Sequence, residues 1–171
     1  MGHANQLSIM MWSDKMKLGI AEIDEQHKML VGILNRLYQA VVAREGEQIT
    51  AEILDTLIDY TQTHFSLEER LLREAGYDPH ELISHMQEHQ NFVQQLATMA
   101  ARRLTDGKSI SFELIQMLQR WLVEHIQISD RRYAEVLAYA EFNAADWSVQ
   151  AKAVMGAKYR SRASRPWWRF W

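Results

Sequence analysis

Apolar residues recur every three or four positions through four successive segments of the chain. Such spacing places apolar side chains on one face of an α-helix. It predicts one helix over residues 20–42, a second ending near 75, a third beginning at 79 and a fourth over 111–137. Because long helices joined by short turns pack side by side, the sequence predicts an all-α protein, an antiparallel four-helix bundle of up-down-up-down order.

The two ends of the chain lack this periodicity. The segment before Ile20 is predicted to lie as an N-terminal arm along the bundle. Residues 142–171 are predicted to form a C-terminal extension, in which a short helix could precede a basic and aromatic tail. The length of 171 residues suits one domain. We assign residues 1–141 to that domain, the bundle with its arm.

The composition excludes several kinds of site. The chain has no cysteine, which rules out disulfides, thiolate catalysis, zinc-thiolate sites and iron-sulfur clusters. Any metal must therefore bind through nitrogen and oxygen atoms. The N-terminus lacks a basic stretch followed by an apolar run, and no apolar run approaches the ~18 residues of a membrane span. A cytoplasmic location is therefore expected.

Five of the seven histidines fall at core positions of the predicted helices, where a bundle normally has Leu or Ile. These are His27, His64, His85, His89 and His125. A single buried histidine is usually only a hydrogen-bonded core residue. Five of them, together with the inward acids Glu68 and Asp130, indicate a metal site instead.

Two pairs of these residues have the spacing of helical metal ligands. His64 and Glu68 are four residues apart, as are His85 and His89. Residues at this spacing lie one turn apart on the same helix face. Each pair can therefore reach one metal ion or two adjacent ions.

The spacing of His125 and Asp130 is less regular. Asp130 follows His125 by five residues, which corresponds to about 140° around a regular α-helix. We therefore predict either a π-helical widening near residues 127–129 or a bend of Asp130 back along the bundle axis.

The set of ligands indicates the class of metal. Five imidazoles and two carboxylates without sulfur suit iron or manganese better than calcium or magnesium, which need oxygen shells. Seven protein ligands are too many for one ion. Two ions sharing both carboxylates and a solvent-derived oxygen would have three histidines on one ion, and two histidines and an open sixth position on the other.

Several strings around these residues carry a family resemblance. They are Gly19-Ile20, IDEQH at 23–27, HFSLE at 64–68, HMQEH at 85–89 and WLVEHIQISD at 121–130. Together they resemble the hemerythrin family, specifically its bacterial single-domain branch, over roughly residues 10–140. All seven ligand types recur in order, and no ligand position is substituted.

The resemblance implies a centre of two iron ions, Fe²⁺ or Fe³⁺, bridged by two carboxylates and an oxo or hydroxo group. It implies that dioxygen binds reversibly at the iron with two histidines. The ligands carried over to this sequence are His85, His89 and His125 for one iron, His27 and His64 for the other, and Glu68 and Asp130 as bridges.

The resemblance also implies an apolar pocket that keeps water from the bound oxygen. Its members here would be Leu30, Phe65, Trp121, Leu122 and Ile126. The three aliphatic residues fit an ordinary core equally well, whereas the two aromatic residues neighbour ligands. Tyr133 is a candidate to support the site, although a buried tyrosine hydroxyl often bonds a carbonyl instead.

Two further acids are predicted to face solvent. Glu69 and Glu88 adjoin ligands in the sequence, but neighbouring residues on a helix point about 100° apart. They are therefore predicted to lie off the site.

The C-terminal tail differs in charge from the bundle. Six basic residues and no acid lie from Lys152 onward, and the segment 160–171 combines basic residues with large aromatic ones. This pattern fits a membrane surface or an acidic protein partner, and equally a tail folded back onto the acidic bundle. Nucleic acid is not expected as a partner, because no nucleic-acid-binding fold is indicated.

The leading functional hypothesis is reversible dioxygen binding for transport, storage or delivery, by a protein that is not an enzyme. Five histidines favour it, because a nitrogen-rich site should hold the ferrous state better than a carboxylate-rich one. Ferritin-like di-iron oxidases, by contrast, use four Glu with two His. The alternatives are a di-iron enzyme acting on peroxide, nitric oxide or ferrous iron, and an oxygen sensor coupled to a partner through the tail.

Overall fold

The structure is a computed structural model that describes residues 7–106, 112–137, 149–150 and 153. Its elements in chain order are a 3₁₀ turn (Asp14–Met16), α1 (Ala21–Val42), α2 (Glu47–Glu74), α3 (Pro79–Asp106), α4 (Phe112–Glu124), a π-helical turn (His125–Ser129) and α5 (Asp130–Leu137). The last three follow one another without a break and form the fourth helix of the bundle. The predicted all-α four-helix bundle is confirmed.

Local signals explain where α2 ends and α3 begins. Gly76 follows α2 with a φ of 69°, a conformation that glycine adopts without strain. Asp78 Oδ1 accepts hydrogen bonds from the backbone N–H groups of His80 and Glu81, at 2.9 and 3.0 Å, and so caps α3. Pro79 is the first residue of α3, where its missing N–H costs no hydrogen bond.

The apolar faces of the four helices meet in one core. Helix α1 packs against α2 and α4, and α2 packs against α3, as antiparallel neighbours joined by short turns do. Side chains exposed by 1% or less come from all four helices and include Ile23, Leu34, Leu71, Leu96 and Ile115. Burying each such side chain contributes about 1.5–3 kcal/mol, so the periodic positions hold the bundle together.

Side-chain amides hold the N-terminal arm. Asn35 Oδ1 accepts hydrogen bonds from the backbone N–H groups of Ile9 and Met10, at 3.0 and 3.1 Å, and Asn35 Nδ2 donates to the carbonyl of Met10 at 2.7 Å. Gln119 Nε2 donates to the carbonyl of Ile9 at 2.7 Å. The arm therefore lies across α1 and α4, along the bundle as predicted.

The fourth helix contains the predicted distortion. The π-helical turn covers His125–Ser129, which confirms the predicted widening. A π-turn accommodates one more residue than an α-turn. Asp130, five residues after His125, therefore returns to the same face of the helix and is fully buried.

Most of the C-terminal extension lies outside the described residues. Within it, Gln150 accepts a hydrogen bond from Arg70 on α2. The tail at 160–171 lies outside the described residues, so its predicted partner, a membrane surface or an acidic protein, stays a prediction. The division of the chain near residue 141 also stays a prediction. Among the helices that the structure describes, none is long and apolar enough to cross a membrane.

Candidate metal centre

All seven predicted ligands converge at one buried place in the bundle. None of them is more than 6% exposed. All four helices of the bundle contribute, with His27 on the first, His64 and Glu68 on the second, His85 and His89 on the third, and His125 and Asp130 on the fourth.

The nitrogen and oxygen atoms of these residues form two groups, in each of which all atoms lie within 4.8 Å of one another. The groups are Glu68 with His85, His89 and His125, and Glu68 with His27 and His64. We call the histidines of the first group the three-histidine half and those of the second the two-histidine half. Glu68 belongs to both groups, so its carboxylate lies between the two halves.

Asp130 also reaches both halves. Its Oδ1 lies 3.1 Å from His125 Nε2, and its Oδ2 lies 3.3 Å from His27 Nε2. The π-helical turn permits this, because it directs Asp130 toward the same side as His125. Both carboxylates therefore stand at the boundary between the halves.

The inward atoms crowd together in a way that suits cations. His27 Nε2 lies 3.1 Å from His64 Nε2, and His89 Nε2 lies 3.0 Å from His125 Nε2. The buried atoms of the cluster that lack a hydrogen-bond partner include Glu68 Oε2, His85 Nε2 and both carboxylate oxygens of Asp130. Buried polar atoms without partners are costly, and metal ions would satisfy them. The residues present therefore fit a metal centre with nitrogen and oxygen donors.

Burial keeps three of the histidines neutral. It lowers the pKa of His64 and of His125 to about 4, and it lowers the pKa of His27 well below its usual value. A neutral imidazole has a lone pair available for a metal ion. These rings are therefore ready to bind metal at neutral pH.

The two carboxylates influence each other. Burial raises the pKa of Glu68, but the imidazoles of His85 and His89, whose Nε2 atoms lie 3.4 and 3.2 Å from Glu68 Oε2, outweigh it and hold that pKa well below the usual value. Burial and the charge of Glu68 raise the pKa of Asp130. Two buried anions side by side repel each other, and cations between them would remove that repulsion.

Known proteins share this combination of bundle and cluster. The family described as hemerythrin HHE cation binding domain matches residues 18–137. The chain belongs to the hemerythrin family. As a member, it is a non-heme di-iron protein of the oxygen-binding type.

The similarity to known relatives covers most of this hemerythrin. It is 36% identical over 129 residues to the bacteriohemerythrin of Stenotrophomonas maltophilia, covering 75% of this chain and 82% of the relative. It is 34% identical over 131 residues to the bacteriohemerythrin of Pseudomonas aeruginosa, covering 77% and 83%. A crystal structure of wild-type hemerythrin matches with a TM-score of 0.70 and 26% identity, over 77% of this chain and 99% of that chain.

The metal-free hemerythrin is expected to lose stability as the pH falls from about 6.5 to 4. In this window the unfolded chain protonates His64 and His125, whereas the folded chain, with pKa values of about 4, does not. Above pH 6.5 both states hold these histidines neutral and the shifts have no effect, but as the pH falls to 4 each depressed pKa comes to disfavour the folded state by about 3 kcal/mol. The raised pKa values of His89 and Asp130 offset part of the loss. Urea unfolding at pH 7 and pH 5 measures the change, and equal midpoints would contradict it.

The prediction that Glu69 and Glu88 lie off the site is wrong. Glu69 Oε1 accepts a hydrogen bond from His89 Nδ1 at 3.0 Å, and Glu88 Oε2 lies 3.6 Å from His125 Nδ1. Each glutamate contacts a histidine of the next helix, not the ligand beside it in the sequence. A rotation of about 100° from the core direction points a side chain toward the neighbouring helix as well as toward solvent. The contact with His125 lowers the pKa of Glu88 to about 2, so Glu88 is a carboxylate at neutral pH.

Gln26 is a further contact that sequence reasoning missed. Its Oε1 lies 2.9 Å from His64 Nδ1, and the residue is 1% exposed. Gln26 directly precedes His27 and reaches across to α2. Like Glu69 and Glu88, it adjoins a ligand in the sequence and contacts a histidine of a different helix, which the periodicity of a single helix does not indicate.

Tyr133 supports the carboxylate that the two groups share. Its hydroxyl donates a hydrogen bond to Glu68 Oε1, and the residue is fully buried. Burial and the charge of Glu68 raise the pKa of Tyr133 well above its usual value, so the hydroxyl keeps its proton. Of the two predicted roles, the structure places Tyr133 on the ligand and not on a carbonyl.

Replacing Tyr133 by phenylalanine is expected to destabilise the metal-free protein by about 1.5–3 kcal/mol, the range for a buried hydrogen bond to a charged group. The change leaves Glu68 Oε1 without its donor. Urea unfolding of the variant measures the effect, with Tyr77→Phe as the control because Tyr77 packs beside Tyr133 but is only half-buried. Equal effects of the two substitutions would refute the role of the hydrogen bond.

Aromatic rings cover the three-histidine half. Phe65 stacks on His89 with ring centroids 3.7 Å apart, and Trp121 stacks on His125 with centroids 4.2 Å apart. Phe92 stacks in turn on Trp121 at 3.7 Å. These stacks hold the imidazole planes in place and exclude water from that side of the centre.

An apolar cavity of about 20 Å³ adjoins the cluster. It is lined by Leu30, Leu34, Leu57, Thr61, Phe92, Leu118, Trp121 and Leu122. Three of the predicted pocket residues, Leu30, Trp121 and Leu122, are among them. Phe65 contacts Trp121 edge-on, whereas Ile126 is fully buried in the core and does not line this cavity.

The cavity lies on the side of the histidines that is opposite to the carboxylates. Along each helix, the lining residues are three, four or seven positions from a histidine, in the direction away from Glu68 and Asp130. On α1, for example, Leu30 follows His27 by three residues. On the fourth helix, which runs antiparallel to α1, Asp130 follows His125 and therefore lies toward the opposite end of the bundle. The centre therefore has a polar side with both carboxylates and an apolar side with the cavity.

Proposed function

We propose that this hemerythrin binds dioxygen reversibly at a di-iron centre and serves to carry, store or deliver it. The observation that supports this best is the apolar cavity beside a buried cluster of five histidines and two carboxylates. The cavity volume of about 20 Å³ suits one very small molecule. An apolar diatomic ligand enters such a space at less cost than an ion, which would lose its hydration.

In this proposal the three-histidine half holds one iron, the two-histidine half holds the other, and Glu68 and Asp130 bridge them. The contacts of both carboxylates with both halves support the assignment. Bound iron ions, joined by an oxo or hydroxo group, would supply the reversible electron transfer that dioxygen binding requires.

We assign ligand binding to the two-histidine half because that half has one histidine fewer. The cavity itself is lined from both halves, with Leu30 and Thr61 three residues from His27 and His64, and Phe92 and Leu122 three residues from His89 and His125. The hydroxyl of Thr61 donates to the carbonyl of Leu57 at 2.7 Å. The polar group of Thr61 is thus engaged with backbone, and the lining presents mainly apolar surface to a bound ligand.

Cycles of oxygenation test the proposal. The reduced, iron-loaded protein is prepared without oxygen and is then mixed with oxygen. The oxygen is removed again while the absorption spectrum is recorded. The oxygenated spectrum is expected to appear and then to revert, and the His64→Ala variant is expected to give neither change. A spectrum that does not revert would exclude the carrier role. Steady turnover of peroxide, nitric oxide or ferrous iron that is lost in His64→Ala would favour an enzyme instead.

A further inference from the structure

The two halves of the centre differ in what lies behind their histidines. In His27, His64, His89 and His125, Nε2 faces the cluster and Nδ1 faces outward. A hydrogen bond from the outer nitrogen fixes the tautomer and the ring orientation, and a carboxylate acceptor makes the inner nitrogen a stronger ligand. The outer partners therefore indicate how strongly each half binds a metal ion.

Carboxylates stand behind two rings of the three-histidine half. Glu69 Oε1 accepts from His89 Nδ1 at 3.0 Å, and Arg73 lies 3.4 Å from the other oxygen of Glu69. Glu88 Oε2 lies 3.6 Å from His125 Nδ1. Both glutamates add negative charge beside one half only.

The π-helical turn secures the second of these carboxylates. Ser129, the last residue of the turn, donates its hydroxyl to Glu88 Oε2 at 2.5 Å. The turn that brings Asp130 into the cluster thus also fixes the outer partner of His125.

The two-histidine half has weaker outer partners. The amide oxygen of Gln26 lies 2.9 Å from His64 Nδ1, and an amide is neutral. His27 Nδ1 is buried and has no hydrogen-bond partner among the described residues. Because Glu68 and Asp130 reach both halves, they do not compensate for this difference.

We propose that the centre loads its two metal ions in order, the first into the three-histidine half, with Glu69 and Glu88 as its positioning residues. This inference rests on the proposed dinuclear centre. The neutral Gln26 positions the second half, which binds its ion more weakly and releases it first to a chelator.

Titration of the metal-free protein with Co²⁺ under anaerobic conditions tests the order of loading. Calorimetry and the visible spectrum of Co²⁺ should resolve two binding steps, the first tighter by at least about tenfold, the lower bound typical of outer-partner effects. Glu69→Gln and Glu88→Gln should each weaken the first step by about 10–100-fold and leave the second nearly unchanged. Gln26→Ala should weaken only the second step.

A control separates positioning from a structural role. Glu52→Gln changes an exposed carboxylate on α2 and should alter neither step nor the unfolding temperature, and the other three variants should keep the helical circular dichroism of the wild-type protein without metal. Two equal steps in the wild-type protein, or glutamate variants that weaken the second step, would overturn the inference. Binding of fewer than two ions by the wild-type protein would overturn the dinuclear proposal itself.

Discussion

Replacing Glu68 by alanine is expected to abolish formation of the metal pair and, with it, the response to oxygen. Glu68 belongs to both groups of the cluster and is fully buried. Its removal takes a ligand from each half at once. The affinity for iron should therefore fall by more than the factor of about 10–100 that is typical when an outer partner of a ligand is lost. Iron analysis and the absorption spectrum after reconstitution measure the loss.

Two comparisons make this result specific. Glu52→Ala removes an exposed glutamate from the same helix and should leave iron content and spectrum unchanged. Glu68→Gln keeps the size of the side chain and an acceptor for Tyr133, so it tests the charge if the alanine variant folds poorly. A wild-type content of paired iron in Glu68→Gln and Glu68→Ala would refute the bridging assignment.

The bundle and its ligands could be predicted because both obey helical periodicity. Apolar residues at three-and-four spacing define one face of each helix, and the same spacing places His64 with Glu68 and His85 with His89. Residues such as Ile23 and Leu71 are fully buried where the periodicity puts them. A pattern along one helix is therefore enough to identify the inward residues.

Contacts between neighbouring helices could not be predicted in the same way. Glu69, Glu88 and Gln26 each follow or precede a ligand by one residue, and each contacts a histidine of a different helix. A residue at about 100° from the core direction can face solvent or the next helix, and the sequence alone does not decide between them. The outcome depends on the distance and rotation of the adjacent helix.

The N-terminal arm shows the same limit. Its course depends on Asn35 and Gln119, which pair with backbone groups of Ile9 and Met10 from helices far away in the sequence. No periodicity marks such contacts, because the described part of the arm, from residue 7 onward, has no regular secondary structure of its own beyond a short 3₁₀ turn. The sequence therefore indicated an arm without its register.

Insertion of one alanine after Gln127 is expected to abolish the metal pair, because it moves Asp130 to six positions from His125. The π-helical turn already accommodates one additional residue. A second would rotate α5 by about 100° relative to α4. Asp130 would leave the cluster, and Tyr133 would leave Glu68. Iron content and the oxygenated spectrum should both be lost, while circular dichroism should still report a helical protein.

Deletion of Ile128 is expected to have the opposite outcome, although it also changes the chain by one residue. Ile128 is 54% exposed, so its loss removes little buried surface. The deletion shortens the spacing of His125 and Asp130 to four, which places both on one face of a regular α-helix. Iron binding should therefore persist in this variant. An alanine inserted after Arg44, in the loop between α1 and α2, should also be tolerated. The outcome to the contrary is loss of iron binding on deletion of Ile128 while the insertion after Arg44 preserves it. The π-helical turn would then be required for its own geometry and not merely for the direction of Asp130.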